Sequence, residues 1–441
     1  MNSATIFALA SAAGKGGVAV FRLSGDDAKQ AILSLCEPND MPMPRMASLR
    51  VLKNPKTGEI IDRVLVLFFP APHSFTGEDV VEFHTHGGRA VANAVSECLS
   101  SLPHSRIAEP GEFTRRAFEN GKMDLTEAEA IADLVHAETE AQRKQALRQL
   151  EGDLGKLYEG WRVRLSRNLA YREAAIDFSD EELPVDIINK ENAELCRLRA
   201  EIWVHLDDRN RGERVREGFS VAIAGPPNAG KSSLLNALAK RDAAIVSPVA
   251  GTTRDVIEVQ MDIGGYAVTL ADTAGLRESV DAIESEGIRR ARARVAHADL
   301  RLLVFDGALW PQRDAEMQAL IGTDAIAIVN KSDLVKDKIN EDEFLSVSAR
   351  SGDGIDALLK KVAQEIDQRC SASGVPPLTQ ARHRIALQEC VGHLDRASSA
   401  ASADMAAEDV RLAMRALGRI TGQVDVEDLL DIIFRDFCIG K

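Results

Sequence analysis

The sequence predicts a multidomain protein of mixed class, α+β and α/β, in which an N-terminal α+β domain precedes a helical domain and an α/β domain is inserted into the helical one. Three observations carry this expectation. Short β-rich apolar runs separated by Gly and Pro turns fill the first 118 residues. Helical periodicity then takes over and returns near the end of the chain. Between the helical stretches, strand-like and helix-like segments alternate, and a glycine-rich loop follows the first of these strands. The expected boundaries are 1–118 for the first domain, 119–214 for the first helical part, 215–370 for the α/β domain and 371–441 for the second helical part.

Each element has its own signal. In the first domain 19–23, 64–69 and 80–84 read as strands and 90–102 as a helix. Beyond it, Thr126 and Glu129 stand at capping-box spacing, with Ile131, Leu134 and Val135 on one face behind them. The helical pattern runs to about 206, interrupted around 179–184, and the charged stretch 209–217 reads as a linker. After the α/β region, Ser371-Ala-Ser-Gly-Val-Pro-Pro377 breaks the chain, and 382–396 and 408–434 read as helices again. The two helical segments are expected to pack together as one domain.

Composition is that of an ordinary globular protein, and 441 residues allow two to four domains. The six cysteines are scattered without C-x-x-C pairs or zinc-ligand spacing, which fits a reducing cytosol. The apolar start has no preceding Lys or Arg and is not read as a secretory signal, and the apolar run 64–69 is too short to span a bilayer. A formal charge of −14 excludes a surface that is basic throughout, so any RNA contact is local. The arginine clusters at 162–172, 209–216 and 289–294 read individually as solvated helix faces and linker.

The α/β region carries the chemistry. Gly225-Pro-Pro-Asn-Ala-Gly230-Lys231-Ser232 follows the apolar run 221–224. Glycines let backbone N–H groups approach phosphates, Lys231 brings an ammonium to the β/γ oxygens, and the Ser232 hydroxyl suits Mg²⁺. Asp272-Thr273-Ala274-Gly275 follows a hairpin turning at Gly264-Gly265; its carboxylate can act on Mg²⁺ through water, and the Gly275 N–H can meet a γ-phosphate. Asn330-Lys331-Ser332-Asp333 ends the strand 326–329, and the Asp333 carboxylate can accept the ring N–H and amine of guanine, a donor pair adenine lacks. Ser348-Ala349-Arg350 is placed to close over the base. Four ordered elements of this kind predict a P-loop GTPase domain. Gly251-Thr252-Thr253 is a first switch in which either threonine could complete the Mg²⁺ shell. Leu276 stands where signalling GTPases place a water-orienting glutamine, so the hydrolytic group lies elsewhere; Arg277 is adjacent, and Glu284 and Glu286 are candidates to position water.

With these motifs and those at both ends, the chain resembles the bacterial tRNA-modifying GTPase family MnmE, also called TrmE, over essentially its full length. The end signatures are Gly14-Lys-Gly-Gly-Val-Ala-Val-Phe-Arg22-Leu-Ser-Gly25, Ser74-Phe-Thr-Gly-Glu-Asp-Val-Val-Glu82 running to His86-Gly-Gly88, Pro110-Gly-Glu-Phe-Thr-Arg-Arg-Ala-Phe118, Lys122-Met-Asp-Leu-Thr-Glu-Ala-Glu-Ala-Ile-Ala-Asp133 and Phe437-Cys438-Ile-Gly-Lys441. The resemblance implies a cytoplasmic homodimer with no membrane association, whose N-terminal domain binds a tetrahydrofolate one-carbon derivative. It also implies a flavoprotein partner of the MnmG/GidA type carrying FAD, with tRNA as substrate. GTP hydrolysis would drive modification of the wobble uridine at C5, adding a carboxymethylaminomethyl or aminomethyl group.

Residue by residue, the resemblance assigns Arg22, Glu82, Lys122 and Lys441 to the folate, and Cys438 to a place near the modification chemistry. Without it, the first four read as surface ion pairs and Cys438 as a free thiol. It assigns Asn228, Ser247, Val249 and Thr252 to a K⁺ ion standing in for an arginine finger, Ser232 and Thr253 to Mg²⁺, and Glu284 to positioning water. Ala229, Gly230, Ser233, Pro248, Ala250 and Gly251 complete the nucleotide contacts. Ser247 stands where threonine is common, and Arg382-His-Arg384 only approximates the family's basic stretch. The competing expectation is a GTP-regulated ribosome-assembly switch, which would share the guanine motifs but has no use for the end signatures.

Overall fold

The structure, a computed structural model, describes residues 4–12, 14–177, 185–241, 258–272, 297–335, 339–340, 342–370, 375–424, 427–435 and 437–440. The chain divides into two compact units, one of Met1–Ala132, Gly155–Arg164 and Met414–Lys441, the other of Asp133–Leu154 and Leu165–Ala413.

The first unit is built on a seven-stranded sheet. Its elements are β1 (Thr5–Leu9), β2 (Gly16–Ser24), α1 (Ala28–Leu35), β3 (Cys36–Glu37), β4 (Ser48–Lys53), β5 (Ile60–Phe69), β6 (Val80–Gly87), α2 (Arg89–Ser100), β7 (Ser105–Ile107), α3 (Glu112–Glu119) and the start of α4 (Leu125–His136). The strand order is β3-β4-β5-β6-β2-β1-β7. Strand alternation sorts the side chains. Phe21 and Leu23, Val64 and Val66, and Val81 and Phe83 join Ile32 of α1 and Leu99 of α2 in one core, where each large side chain contributes roughly 1.5–3 kcal/mol. The intervening positions Arg22, Leu65, Glu82 and His84 share the other face: the register pairs Arg22 with Glu82 and His84 with both Val20 and Leu65.

The helical N-terminus at 124 differs from expectation. Asp124 Oδ1 accepts from the Glu127 amide at 2.9 Å while Glu127 Oε2 accepts from the Asp124 amide at 2.7 Å. This is the reciprocal pattern of a capping box, but built on Asp124 and Glu127. Thr126 and Glu129 are buried inside α4 instead. Aspartate caps as well as threonine does, and it comes two residues earlier.

The second unit continues with α5 (Glu140–Leu150), α6 (Asp153–Asp177), α7 (Val185–Leu206), α8 (Arg211–Glu217), β8 (Phe219–Ala224), α9 (Lys231–Arg241), β9 (Glu258–Ile263), β10 (Tyr266–Asp272), β11 (Leu300–Asp306), α10 (Ala315–Ala319), β12 (Ala325–Asn330), β13 (Leu345–Ser346), α11 (Ile355–Cys370), α12 (Ala381–Ser399) and α13 (Ala403–Thr421). Helix α6 also supplies Gly155–Arg164, and α13 its residues from Met414 on, to the first unit. The sheet order is β13-β12-β11-β8-β10-β9, with β9 alone antiparallel. Val221, Ile223, Leu302, Val304 and Ile328 pack with Leu234 and Leu238 of α9 and with Leu358, Val362 and Ile366 of α11. Leu303, Phe305, Val329 and Phe344 form a second cluster. β8 is flanked on both sides by later parallel strands, so its C-terminal end is the topological switch point where such sheets bind ligands.

The stretch expected as a linker is a helix. Asn210 and Arg209 adopt positive φ (58° and 56°), and α8 then runs to Gly218. Its face packs inward through Val215, and Gly212 lies so close to Leu378 that a Cβ would sit 2.1 Å from its carbonyl oxygen. Charge density concealed a short helix whose few apolar contacts are tertiary.

The last helix also differs. In place of one run over 408–434, α13 ends at Thr421 and α14 spans Glu427–Arg435. At Gly422, φ +85°, a Cβ would stand 2.5 Å from the Phe118 ring, which leaves no room for a side chain. Leu430, Phe434 and Phe437 then pack on Leu125 and Ala128 within the first unit. No helix among the described residues is long and apolar enough to cross a membrane.

Candidate functional site

The loop after β8 is shaped by contacts that only its own residues permit. A Cβ on Gly225 would stand 2.5 Å from the Val304 carbonyl, and one on Gly230, at φ +89°, would stand 2.3 Å from Asn330 Nδ2. Asn228 also takes a left-handed conformation, at φ 63°. The loop therefore lies against β11 and β12 before turning into α9, a helix N-terminus whose N–H groups suit an anion. Lys231 is buried, and its ammonium donates to the Gly225 and Pro226 carbonyls at 2.9 Å each. Ser232, at the first turn of α9, donates its hydroxyl to Oδ2 of the buried Asp272 at the end of β10. A hydroxyl and a carboxylate brought together are hard oxygen donors, the chemistry Mg²⁺ requires.

The neighbouring strand ends form the base side. Asn330 is 1 % exposed; its Nδ2 donates to the Ala229 carbonyl at 2.8 Å and its Oδ1 accepts from the Ala349 amide at 3.1 Å. Lys331 turns left-handed (φ 59°), and its ammonium donates to the Asn228 carbonyl and to Asp306 Oδ2, both at 2.7 Å. Asp333 is exposed, and one of its oxygens accepts from the Ser348 hydroxyl at 2.6 Å. That bond, aided by the Arg350 charge, holds the Asp333 carboxyl below its ordinary value, so it presents as an acceptor. Ser348 is fully buried, whereas Arg350 is exposed. Loop, Asp272, Asn330, Lys331, Asp333 and Ser348 thus gather at the C-terminal edge of one parallel sheet.

Sequence reading missed Asp306. It ends β11 in register with Asn330, which ends β12. The signal was present, since Asp306-Gly307 follows the apolar run Leu302 to Phe305 as Asn330-Lys331 follows its own.

Several expected residues lie outside the described ones: Ser247, Pro248, Val249, Ala250, Gly251, Thr252, Thr253, Thr273, Ala274, Gly275, Leu276, Arg277, Glu284, Glu286 and Lys441. Of the K⁺ set only Asn228 is described, and it is exposed.

In the first unit, Arg22 and Glu82 form an ion pair at 2.9 Å across β2 and β6, and His84 Nε2 lies 3.3 Å from the other Glu82 oxygen. The Arg22 guanidinium is 5.8 Å from the half-exposed Phe75 ring. Lys122 is exposed, with its stem beside Gly77. Two residues further along β6, the largely exposed His86 is held by Asp62 through Nδ1 at 2.7 Å and through its amide at 2.8 Å. Burial pushes the Asp62 carboxyl up, but the His86 bonds outweigh it and the group sits below its ordinary value. Phe75 and His86 belong to the quoted signature but had no role assigned from sequence, and His84 was not named, although the i, i+2, i+4 spacing of Glu82, His84 and His86 on a strand puts them on one face. Cys438 is exposed; its carbonyl accepts from the Gly111 amide at 3.4 Å, and Ile439 pairs with Pro110.

Within the stretch Arg382 to Arg384, the last two residues turn inward. His383 is fully buried, and Arg384 bonds Asp208, Glu213 and the Leu206 carbonyl, so this guanidinium is committed to the fold.

Comparison with known proteins places these features. Residues 5–122 match the model of the GTP-binding protein TrmE N-terminus, and residues 125–438 match the MnmE helical domain. The chain is 55 % identical to the tRNA modification GTPase MnmE of Paramagnetospirillum magneticum over 100 % of both chains. It is 56 % identical to that of Parvibaculum lavamentivorans, over 99 % of this chain and 100 % of the relative. The human mitochondrial 5-taurinomethyluridine-[tRNA] synthase subunit GTPB3 is 46 % identical over 100 % of this chain and 94 % of its own.

Proposed function

Because this chain belongs to the MnmE (TrmE) family of tRNA modification GTPases, we propose that it couples GTP hydrolysis to modification of the tRNA wobble uridine at C5. The chain is a GTPase of tRNA modification. The observation that carries the nucleotide reading is the convergence of the phosphate loop, Asp272, Asn330 to Asp333 and Ser348 at one sheet edge. Backbone N–H groups of the loop and of α9 bind phosphates, and Lys231 exchanges its loop carbonyls for phosphate oxygens. Asp333, its carboxylate oriented by the Ser348 hydroxyl, selects guanine over adenine. Ser232 and Asp272 would hold Mg²⁺, which neutralises charge on the phosphates. Thr253 would complete the magnesium shell, and Glu284 would orient the attacking water.

The finer reading rests on the resemblance. Asn228 with Ser247, Val249 and Thr252 would hold K⁺, whose charge would offset that developing between the phosphates. The fit for Asn228 is supported by its exposure on a fixed loop. In the first unit, the open face bearing Arg22, Glu82 and Phe75 supports a tetrahydrofolate one-carbon derivative: a carboxylate suits the pterin N–H groups, and Arg22, Lys122 and Lys441 suit a glutamate tail. Cys438 would lie near the modification chemistry. The name of the human relative, a subunit of a synthase, supports work alongside a second protein, here an FAD-dependent flavoprotein of the MnmG/GidA type. We place the protein in the cytoplasm as a homodimer, with domains at 1–118, 119–214, 215–370 and 371–441.

Mass spectrometry of wobble nucleosides from cells lacking this chain tests the proposal: loss of the C5 substituent is expected, and an unchanged profile overturns it. Equal hydrolysis in Na⁺ and K⁺, or K⁺ stimulation untouched by Asn228→Ala, would overturn the cation reading alone.

A further inference from the structure

Two residues of the nucleotide site hold backbone conformations that L side chains rarely adopt, Asn228 at φ 63° and Lys331 at φ 59°. One ammonium ties them together. Lys331 Nζ donates to the Asn228 carbonyl at 2.7 Å and to Asp306 Oδ2 at 2.7 Å. The second oxygen of Asp306 accepts from the Ala308 amide at 3.0 Å, which starts the short turn Gly307–Leu309. Asp306 is therefore fixed at both oxygens, and its side chain is only 10 % exposed. The turn beneath it is equally constrained: a Cβ on Gly307 would meet the Asn330 and Lys331 carbonyls at 2.5 and 2.8 Å.

We propose that Asp306 is a positioning residue for the nucleotide, orienting Lys331 so that its ammonium holds the phosphate loop at Asn228 in its left-handed conformation and thereby links the base side of the site to the phosphate side. The inference rests on the nucleotide reading above. An ammonium without a fixed carboxylate swings among solvent positions, and a lysine has rotamer freedom to lose each time it returns to a single acceptor. A carboxylate pinned by its own turn removes that freedom before nucleotide arrives. The loop carbonyl then stays pinned, and Asn228 bears its unfavourable φ in the free protein, so less reorganisation accompanies binding.

Asp306→Asn keeps size and turn cap while removing the charge that faces Lys331. On the full-length chain, titration with fluorescent mant-GDP should show about a tenfold weaker affinity, mostly in the dissociation rate, and KM for GTP should rise with kcat changed much less. The discriminating measurement is the same substitution in an Asn228→Gly background. Glycine takes positive φ without strain, so the loop no longer needs the tether, and the effect of Asp306→Asn should fall to twofold or less. If Asp306→Asn does not fold by circular dichroism, Asp306→Ser, which keeps a cap for Ala308 and cannot reach Lys331, reads out the same prediction. Unchanged affinity in either variant overturns the tether, as does a full tenfold loss in the Asn228→Gly background. Failure of the unsubstituted chain to bind mant-GDP overturns the nucleotide reading itself, and the tether with it.

Discussion

Replacing Asn330 with alanine tests whether one side chain holds the phosphate loop and the base-closing loop together. The residue is 1 % exposed and bonds a carbonyl of one loop, Ala229, and an amide of the other, Ala349. Alanine removes both partners at once. With about 1–3 kcal/mol for each buried group left unpaired, the cost is roughly 2–6 kcal/mol, and at ~1.4 kcal/mol per decade even the low end is about thirtyfold in an equilibrium constant. Asn330→Asp retains an acceptor for Ala349 but sets a buried carboxylate oxygen against the Ala229 carbonyl, so its cost should equal or exceed that of alanine. The assay is a urea titration of the full-length chain with and without GDP, paired with mant-GDP binding. Because the chain holds more than one cooperative unit, the transition to follow is the one that GDP shifts. Its midpoint should fall by about 1 M or more for alanine if the slope is that of a small domain. A midpoint and an affinity both unchanged by Asn330→Ala would refute the claim that this amide joins the loops.

Further outcomes follow from other sites. Asp333→Asn replaces two acceptors with one acceptor and one donor, so binding should shift from guanine toward xanthine nucleotides, measured by competition against mant-GDP; retained guanine preference would remove Asp333 from base selection. Burial lowers the His205 pKa to about 4, against 6.5 in the unfolded chain. Between those values the unfolded state binds the extra proton, so stability is full above pH 6.5 and declines as pH falls to 4, by about 3 kcal/mol in total. His205→Leu should flatten the fall of the unfolding midpoint across that window, and an identical pH profile would contradict the burial argument. Gly440 sits at φ +98° with a would-be Cβ 2.7 Å from the Leu9 carbonyl. Gly440→Ala should loosen the contacts of Cys438 and Ile439, seen as faster thiol labelling of Cys438 in a Cys196→Ser background, since Cys196 is also exposed.

The site was legible where chemistry is written in consecutive residues. The loop from Gly225 to Ser232, the carboxylate of Asp272 and the Asn330-Lys331-Ser332-Asp333 run each join a short motif to the end of an apolar strand, so residue type and place come together. Asp306 escaped because its role depends on register: only pairing β11 with β12 brings it beside Lys331. The same holds for Phe75, which a loop brings to Arg22. Charge misled in one place. The Arg-rich 209–217 read as linker because its apolar content is slight, yet Val215 and Gly212 pack a helix. In the stretch Arg382 to Arg384, which only approximates the family's basic run, two carboxylates and a carbonyl surround Arg384, a placement that only the tertiary fold supplies.

By itself the sequence determined the class of each region, the nucleotide chemistry and the family, since local periodicity and contiguous motifs depend on near neighbours along the chain. Tertiary structure decided which end of the sheet gathers the motifs, that α13 stops at Gly422 against Phe118, and that Asp306, Lys331 and Asn228 form one chain of bonds. Those outcomes turn on atoms meeting across tens or hundreds of residues, where close packing and the pairing of buried polar groups, rather than propensity, select one arrangement.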